Sequence, residues 1–251
     1  MLAGLLGVGG GIVIVPMLVA LFAAQHIPEP LILHLALGTS LASIVFTSIS
    51  SLRAHDGRGA VDWRVFRRVT PGILVGTLLG SWVAAQLSTL FLKTFFVLFL
   101  YFVALQMLLG AKPRPSRLLP GAGGLHGVGS LIGGVSSLVG IGGGSMSVPF
   151  LVWCNLPLHV AIGTSAAIGL PIAAAGAVGY VANGALVEAL PPHTLGFVHL
   201  PALVGIAGAS VLTAPLGAML AHRLPVARLK KLFALLLLVM GTRLLMGVIS
   251  R

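Results

Sequence analysis

Two glycine-rich segments of this chain share a pattern suited to binding an anion. Residues 7–18 read GVGGGIVIVPML, and residues 140–151 read GIGGGSMSVPFL. Glycine has no Cβ, so it permits a left-handed backbone and the close approach of a ligand. Each segment predicts an unwound turn that feeds a short helix. The first N–H groups of such a helix have no intrahelical partner and, with the helix dipole, suit an anion.

The glycine runs also have a second interpretation, which the sequence leaves open. Small residues let membrane helices pack closely, and 34 glycines are spread through the chain. On the ligand-binding interpretation the candidate residues are Gly9, Gly10, Gly11, Gly142, Gly143, Gly144 and Ser145. Pro16 and Pro149 follow the two runs at the same distance. Each proline is a candidate helix break, and it predicts either a kink or a helix start, near residue 14 or residue 147.

A second repeated motif adds hydroxyl groups. LHLALGTSLA at 33–42 and LHVAIGTSAA at 158–167 match at seven of ten positions. The hydroxyls either donate to a desolvated anion or bond back to their own helix backbone. The histidines of the motif either contact a proton or the anion, or cap a helix at the membrane interface. The residues concerned are Thr39, Ser40, Thr164, Ser165, His34 and His159.

The elements that must position these groups are membrane helices. Hydrophobic residues make up 57% of the chain and charged residues 8%, which is far from the composition of soluble domains. The net charge of +11 comes from Lys and Arg in short loops, a topology signal and not a nucleic-acid site. Six segments are long enough to cross a bilayer: 31–52, 69–90, 94–110, 160–181, 197–221 and 232–249.

The order of the motifs indicates a duplication. The glycine segments, the G-T-S motifs and the last apolar segment of each half, 93–110 and 230–247, align in the same order in both halves, and Gly59 and Ala60 pair with Gly184 and Ala185. Loop 53–68 is rich in arginine where its counterpart 183–195 has none, and the reverse holds for 86–92 and 222–231. Corresponding loops therefore lie on opposite sides of the membrane, so the repeats are inverted.

The predicted fold is an all-α polytopic membrane helix bundle of two inverted repeats. Each repeat has a glycine-broken hairpin followed by three membrane helices. The first repeat is 1–110, a basic cytoplasmic linker is 111–120, and the second repeat is 121–251. Since the linker is cytoplasmic, 121–157 must enter and leave on one face with its bend at 140–144. The equivalent hairpin of the first repeat has only residues 1–6 as its leading arm.

Several kinds of chemistry lack their residues. Cys154 is alone, so neither an intramolecular disulfide nor a cysteine metal site forms. No phosphate-binding loop for ATP is present. The acidic residues Glu29, Asp56, Asp62 and Glu188 fall in loops, which argues against a carboxylate proton relay. We expect no cofactor, no metal and no nucleic-acid partner, with coupling through the G-T-S histidines or with no coupled ion.

The chain resembles the sulfite exporter TauE/SafE family, also called TSUP, from residue 7 to about residue 247. The resemblance lies in the paired GxGGG-x4-P segments, the LHxAxGTSxA pair and GAVDW at 59–63. The resemblance implies a multi-pass permease of a bacterial inner membrane. It also implies a small anionic solute, such as sulfite, sulfoacetate or thiosulfate. The chain differs from the pattern in its short start and in eight extra residues between Pro16 and Gly38. The transport direction and the oligomeric state, including a homo-oligomer, stay open.

Three functions were compared. A secondary transporter would expose a central site alternately between two inverted halves. An anion channel would use the glycine turns as a filter open to both sides. An enzyme within the membrane needs a base, a nucleophile or a metal cluster at depth, but the histidines are dispersed and the acids are not paired. We therefore predict a transporter, with a channel as the alternative and no enzyme activity.

Overall fold

A computed structural model of the chain describes residues 10–109, 116–210 and 226–249. These residues are nearly all helical, which confirms the predicted fold class. Gly9, residues 111–115 of the linker 111–120 and the leading arm 1–6 lie outside the described residues. The helices are α1 Gly11–Ala24, α2 Glu29–Asp56, α3 Trp63–Gln86, α4 Thr89–Leu109, α5 Ala122–Val139, α6 Gly144–Trp153, α7 Leu158–Gly184, α8 Leu200–Ser210 and α9 Val226–Ile249.

Five of the described helices are long and apolar enough to cross a membrane, namely α2, α3, α4, α5 and α7. Four of them correspond to the predicted spans 31–52, 69–90, 94–110 and 160–181, extended or shifted by a few residues. Large apolar side chains such as Leu79, Leu98 and Val178 are exposed on their outer surfaces. Exposed apolar residues on long helices suit contact with lipid.

The start of the predicted helix 197–221 is wrong. Helix α8 begins at Leu200, and a short hairpin precedes it, with β1 at Thr194–Leu195 and β2 at Val198–His199. The two strands are antiparallel and joined by a two-residue turn. Gly196 in that turn has φ of 53°, which glycine adopts without a steric penalty. Apolar content alone did not separate this turn from the helix that follows it.

Helices α2 and α7, which carry the two G-T-S motifs, pack against each other in antiparallel orientation. A Cβ at Gly38 would lie 3.0 Å from Cβ of Tyr180, and one at Gly169 would lie 3.1 Å from Oγ of Ser48. Contacts thus pair early residues of α2 with late residues of α7. Most of the central residues of both helices are buried, so this pair forms the middle of the protein.

Helices α3 and α5 pack in parallel through small residues. The glycine Cα atoms at Gly72 and Gly76 lie directly against the backbone of His126 and Ser130. Oγ of Ser130 also donates to the carbonyl of Gly72 at 3.0 Å. The residue numbers rise together on both helices, which defines the parallel direction. These glycines serve close helix packing, as the second interpretation of the glycines predicts.

The segment 121–157 is a hairpin whose two ends meet. The N–H groups of Ser116 and Arg117 donate to the carbonyl of Trp153, each at 3.2 Å. The indole Nε1 of Trp153 donates in turn to Oγ of Ser116 at 2.9 Å. The chain therefore enters α5 and leaves α6 at the same end of the molecule, which confirms the predicted hairpin. Its bend occupies Gly140 to Gly143, between the two helices.

Candidate functional site

The bend between α5 and α6 depends on two left-handed glycines. Gly140 closes α5 with φ of 68°, and its N–H donates to the carbonyl of Ser136, as does the N–H of Ile141. Gly143 precedes α6 with φ of 74°. Residues with a Cβ adopt these angles at a cost of about 1–2 kcal/mol each. The unwound turn predicted for the second glycine segment is therefore confirmed.

The start of α6 presents unpaired backbone donors. The N–H groups of Met146 and Ser147 both donate to the carbonyl of Gly143, at 3.0 and 2.9 Å. Among the described residues, none accepts a hydrogen bond from the N–H groups of 142–145. These residues are buried, so water does not replace the missing acceptors at an open surface. A helix start with four free amides and the positive end of its dipole is suited to an anion.

Three buried hydroxyls in this region lack a hydrogen-bond partner among the described residues: Thr77 Oγ1, Ser136 Oγ and Ser145 Oγ. The exposed fraction of these residues is 0% for Thr77, 0% for Ser136 and 8% for Ser145. Ser136 Oγ lies 3.4 Å from the position a Cβ would take on Gly143. Unpaired buried hydroxyls are rare because each costs about 1–3 kcal/mol. Ser136 and Ser145 lie on either side of the bend, which indicates a place for a polar ligand there.

Thr77 reaches this region from α3. Its Oγ1 lies 2.6 Å from the position a Cβ would take on Gly133, which is one turn before Ser136 on the same side of α5. The absence of a side chain at Gly133 thus leaves room for the hydroxyl of Thr77. Helices α3, α5 and α6 each contribute one unpaired hydroxyl to the site.

The surroundings of the bend are apolar and hold no carboxylate. A Cβ on Gly143 would lie 2.5 Å from Cδ1 of Ile172 and 3.3 Å from Cγ2 of Ile132. Asp62 and Glu188 lie outside the helices as predicted, whereas Glu29 and Asp56 are the first and last residues of α2 and not loop residues. No acidic residue lies in the interior of a span, where its charge would repel an anion at the positive end of the α6 dipole, and the low polarity strengthens the attraction of that dipole for an anion.

The first glycine segment meets this bend. The Cα of Gly11 packs directly against the carbonyl of Gly140, and a Cβ there would lie 3.0 Å from Cα of Ile141. The two glycine segments are therefore in contact at Gly11 and Gly140. Gly10, in contrast, has φ of −58° and ψ of −21°, so it is helical and differs from Gly143. The start of α1 does not copy the left-handed start of α6.

Neither proline ends a helix. Helix α1 begins at Gly11 and α6 at Gly144, and both continue through Pro16 and Pro149. The predicted starts near residues 14 and 147 are thus three residues too late. A proline removes one backbone hydrogen bond, and helices packed among others in a membrane tolerate this loss.

The threonines of the two G-T-S motifs bind loops of the opposite half in the same way. Thr39 Oγ1 accepts a hydrogen bond from the N–H of His199 at 2.9 Å, and Gly38 packs against the carbonyl of Phe197. We call this contact the Thr39 clamp. Its hydrogen bond joins α2 to the hairpin that follows α7, at one end of the antiparallel helix pair.

The equivalent contact at the other end is the Thr164 clamp. Thr164 Oγ1 accepts from the N–H of Asp62 at 2.9 Å, and Gly163 packs against the carbonyl of Ala60. The two bound loops read GAVDW and GFVHL, and each starts with a left-handed glycine, Gly59 and Gly196. The contacts thus match Gly59 with Gly196, and not with Gly184 as the sequence alignment had it.

The serines of the motifs hold the bend. Ser40 Oγ donates to the carbonyl of Gly140 at 2.8 Å. Ser165 Oγ and Ser147 Oγ are hydrogen-bonded at 2.7 Å, and Ser147 Oγ also lies 3.0 Å from the carbonyl of Gly143. All four motif hydroxyls thus have partners within the protein. Their direct contact with an anion stays a prediction, and it requires one of these hydrogen bonds to break.

The two motif histidines differ. His34 is buried, with Nδ1 3.1 Å from the carbonyl of Pro30 and Nε2 3.1 Å from the carbonyl of Ala84. His159 is exposed in the first turn of α7. The structure therefore does not bring the two imidazoles to one place, and His34 joins α2 to the end of α3.

Thr77 and Ser136 were missed as candidate residues. Single hydroxyls in apolar helices usually bond to their own backbone, so their sequence positions carry no distinguishing signal. Their neighbour Ser137 does so, because its Oγ donates to the carbonyl of Gly134 at 2.8 Å. Across the described ranges, His, Cys, Asp and Glu form no group of three or more that could hold a metal ion.

Comparison with known proteins gives a consistent result. The family model described as Sulfite exporter TauE/SafE matches residues 1–244. A probable membrane transporter protein of Haemophilus influenzae is 37% identical over 243 residues, covering 96% of this chain and 91% of that protein. The probable membrane transporter protein YunE of Bacillus subtilis is 30% identical over 200 residues, covering 72% and 73%. No solved structure matches the chain.

Proposed function

The chain belongs to the sulfite exporter TauE/SafE family of membrane transporters, and from this premise we propose that it is a secondary carrier for a small anion. The proposed substrates are sulfur oxyanions and organosulfonates, such as sulfite, sulfoacetate or thiosulfate. The proposed location is the inner membrane of a bacterium. The anion binds at the start of α6.

One observation carries the proposal. Free backbone N–H groups, three unpaired hydroxyls and the positive end of a helix dipole meet at the glycine bend, and no carboxylate lies there. A sulfur oxyanion has several oxygens that accept hydrogen bonds, so one ion can satisfy these donors together. Hydrogen bonds to a charged group contribute about 1.5–3 kcal/mol each, so several of them together offset part of the cost of removing the anion from water.

The proposed carrier consists of two inverted repeats, 1–110 and 121–251, joined by the linker 111–120. The antiparallel packing of α2 and α7 supports this, as does the matching form of the two clamps. Arg58 and Arg64 flank the loop of the Thr164 clamp, whereas 183–195 beside the Thr39 clamp has no Lys or Arg. The Thr164 clamp is therefore assigned to the cytoplasmic face and the Thr39 clamp to the outer face.

Alternating access follows from releasing one clamp at a time. Both clamps are closed in the described structure, and Ile172 packs against Gly143, which supports a state of the carrier closed toward both faces. Opening the Thr39 clamp exposes the site to the outside, and opening the Thr164 clamp exposes it to the cytoplasm. An occluded arrangement belongs to a carrier, whereas a channel stays continuous to both sides, so this packing favours the carrier.

The proposal is tested by flux in proteoliposomes. Purified protein is reconstituted, and uptake of labelled sulfite is measured with unlabelled sulfite, sulfonates or carboxylates trapped inside. A carrier gives saturable uptake that is accelerated by a trapped substrate. Unitary currents of thousands of ions per opening in planar bilayers would establish a channel instead. No accelerated uptake with any of these anions would remove the proposed substrate class.

The two clamps predict that matched substitutions open the protein on opposite faces. Thr39→Val and Thr164→Val each remove one hydroxyl acceptor at constant shape and leave the N–H of His199 or Asp62 unpaired. The expected cost is about 1–3 kcal/mol to the closed state at one face only, which is roughly 5- to 150-fold in the population open there. Thr39→Val opens the outer face and Thr164→Val the cytoplasmic face.

The measurement uses a cysteine reporter at the site. Ser145→Cys is introduced in a Cys154→Ser background, and an impermeant thiol reagent is applied to right-side-out and inside-out vesicles. Labelling of the reporter is expected to increase from the outside with Thr39→Val and from the cytoplasmic side with Thr164→Val. Each variant is the control for the other, and equal labelling from both sides would contradict the assignment.

A further inference from the structure

An open pocket of about 540 Å³ borders the Thr39 clamp. Its walls are the connection between α1 and α2, residues 25–28, and the segment before the β-hairpin, residues 189–193, together with His199. The N–H of His199 is the donor of the Thr39 clamp, so this pocket and the clamp share a residue. The pocket is separate from the glycine bend, and it has no role in the transport step proposed above.

Three histidines line this pocket, and its lining contains no Lys, Arg, Asp or Glu: His26, His193 and His199. His26 has φ of 57° and His193 has φ of 61°, angles that few residues with a Cβ adopt. Their rings are exposed and have no hydrogen-bond partner among the described residues. Three imidazoles around one open pocket supply N–H donors, and positive charge when protonated.

The tautomer of His199 follows from its contacts. Its Nδ1 accepts a hydrogen bond from the N–H of Ala202 at 3.2 Å, so in the neutral ring the proton is on Nε2. Among the described residues, Nε2 has no acceptor. The ring also packs against Phe22, with ring centroids 5.1 Å apart. This packing and the Nδ1 hydrogen bond fix the ring, so that Nε2–H is the group left for a ligand.

The charged groups near the pocket favour an anion over a cation. Glu29, at the start of α2, is paired with Lys93 of α4. Glu188 precedes the lining segment by one residue and is not part of the wall. Burial, followed by the neighbouring His193, lowers the pKa of His199 below its usual value. A bound anion would favour the charged imidazoles, so its affinity should increase as the pH falls through the range of histidine titration.

We propose that this pocket is a second anion site, a vestibule where small oxyanions bind next to the Thr39 clamp. This role rests on the proposed function: the vestibule binds the anion on the outer side before or after the anion passes the Thr39 clamp. Its ligand is a small oxyanion held by imidazole N–H groups. It differs from the inner site, which offers backbone N–H groups and hydroxyls.

Binding is tested with inorganic sulfate and NMR of the full chain in nanodiscs with isotope-labelled histidine. At pH 6 the signals of His193 and His199 are expected to shift and saturate as sulfate is added. His193→Asn keeps the left-handed backbone, which asparagine tolerates. This variant is expected to raise the sulfate concentration that half-saturates the His199 shift by roughly tenfold. His126→Asn, at a half-buried histidine of α5 that does not line the pocket, is the matched control and should leave the titration unchanged.

The outcomes separate the vestibule from the proposed function. Unsaturable shifts, or the same titration in His193→Asn as in the wild type, would overturn the vestibule even if the protein carries anions. Saturable shifts lost in His193→Asn would establish it even if no tested anion is transported. If transport occurs, His193→Asn should raise KM for uptake from the side of the vestibule several-fold and leave Vmax unchanged.

Discussion

Replacing Gly143 by valine is expected to abolish transport, with a loss on the order of 100-fold or more, while the protein still inserts into the membrane. A side chain at φ of 74° costs about 1–2 kcal/mol. Its Cβ would also lie 2.5 Å from Cδ1 of Ile172 and would enter the space beside Ser136 Oγ. Overpacking adds about 1–3 kcal/mol, and the side chain covers the free N–H groups that the anion requires. Uptake in proteoliposomes and elution as a single species after extraction are measured together.

The two interpretations of this glycine are separated by a second substitution. Gly143→Ala places one methyl group beside Ile172, and Ile172→Val removes the δ-carbon that it would contact. If Gly143 serves only helix packing, the double variant recovers transport together with the stability lost to the contact with Ile172, although the backbone strain of about 1–2 kcal/mol remains. If Gly143 keeps the anion site bare, that part of the stability returns and transport does not, because the new Cβ occupies the space that the anion needs. Gly127→Ala on α5, where no heavy atom lies within 4 Å of the added Cβ, is the matched control.

Gly10 occupies the position in the first glycine segment that corresponds to Gly143, but we expect substitution to have its effect at Gly11 instead. Gly10 is helical and half-buried, so valine there meets no backbone strain. Gly11 packs against the carbonyl of Gly140, so even alanine there must displace the bend. The equal spacing of the two segments thus indicated the right partners, but not which glycine of the first segment carries the contact.

The parts of the fold that follow from local chemistry were predicted well. Left-handed turns favour glycine, and spans need about twenty apolar residues, so the bend at 140–143 and helices α2, α3, α4 and α7 could be located from composition and spacing. The charge asymmetry between loops led to the hairpin 121–157, whose ends meet at Ser116 and Trp153. These signals lie within short stretches of sequence.

The parts that depend on distant partners could not be predicted. A threonine in a G-T-S motif reads equally as a ligand, a back-bonded hydroxyl or an acceptor for another loop, and only the fold places His199 beside Thr39 and Asp62 beside Thr164. Whether a hydroxyl is paired is likewise a property of its neighbours. Ser136 and Ser137 are adjacent and of one type, yet Ser137 has a backbone partner and Ser136 has none.

This difference gives the second prediction. Ser136→Ala is expected to raise KM for the anion about 10- to 100-fold, because a hydrogen bond to a charged group is worth about 1.5–3 kcal/mol. The same change should leave thermal stability unchanged or slightly higher, since it removes a buried hydroxyl with no partner among the described residues. Ser137→Ala is the matched control, and it should leave KM near the wild-type value.

A loss of affinity without a loss of stability indicates a ligand contact. Removing a hydroxyl that only supports the fold would lower the stability of the protein together with its affinity for the anion. If Ser136→Ala lowered stability and left KM unchanged, the hydroxyl would have a partner in the protein and the site would have to lie elsewhere. Combining Ser136→Ala with Ser145→Ala extends the test to α6. The effects of the two substitutions on KM should not be additive if both hydroxyls bind the same ion, because neighbouring contacts to one ligand are coupled.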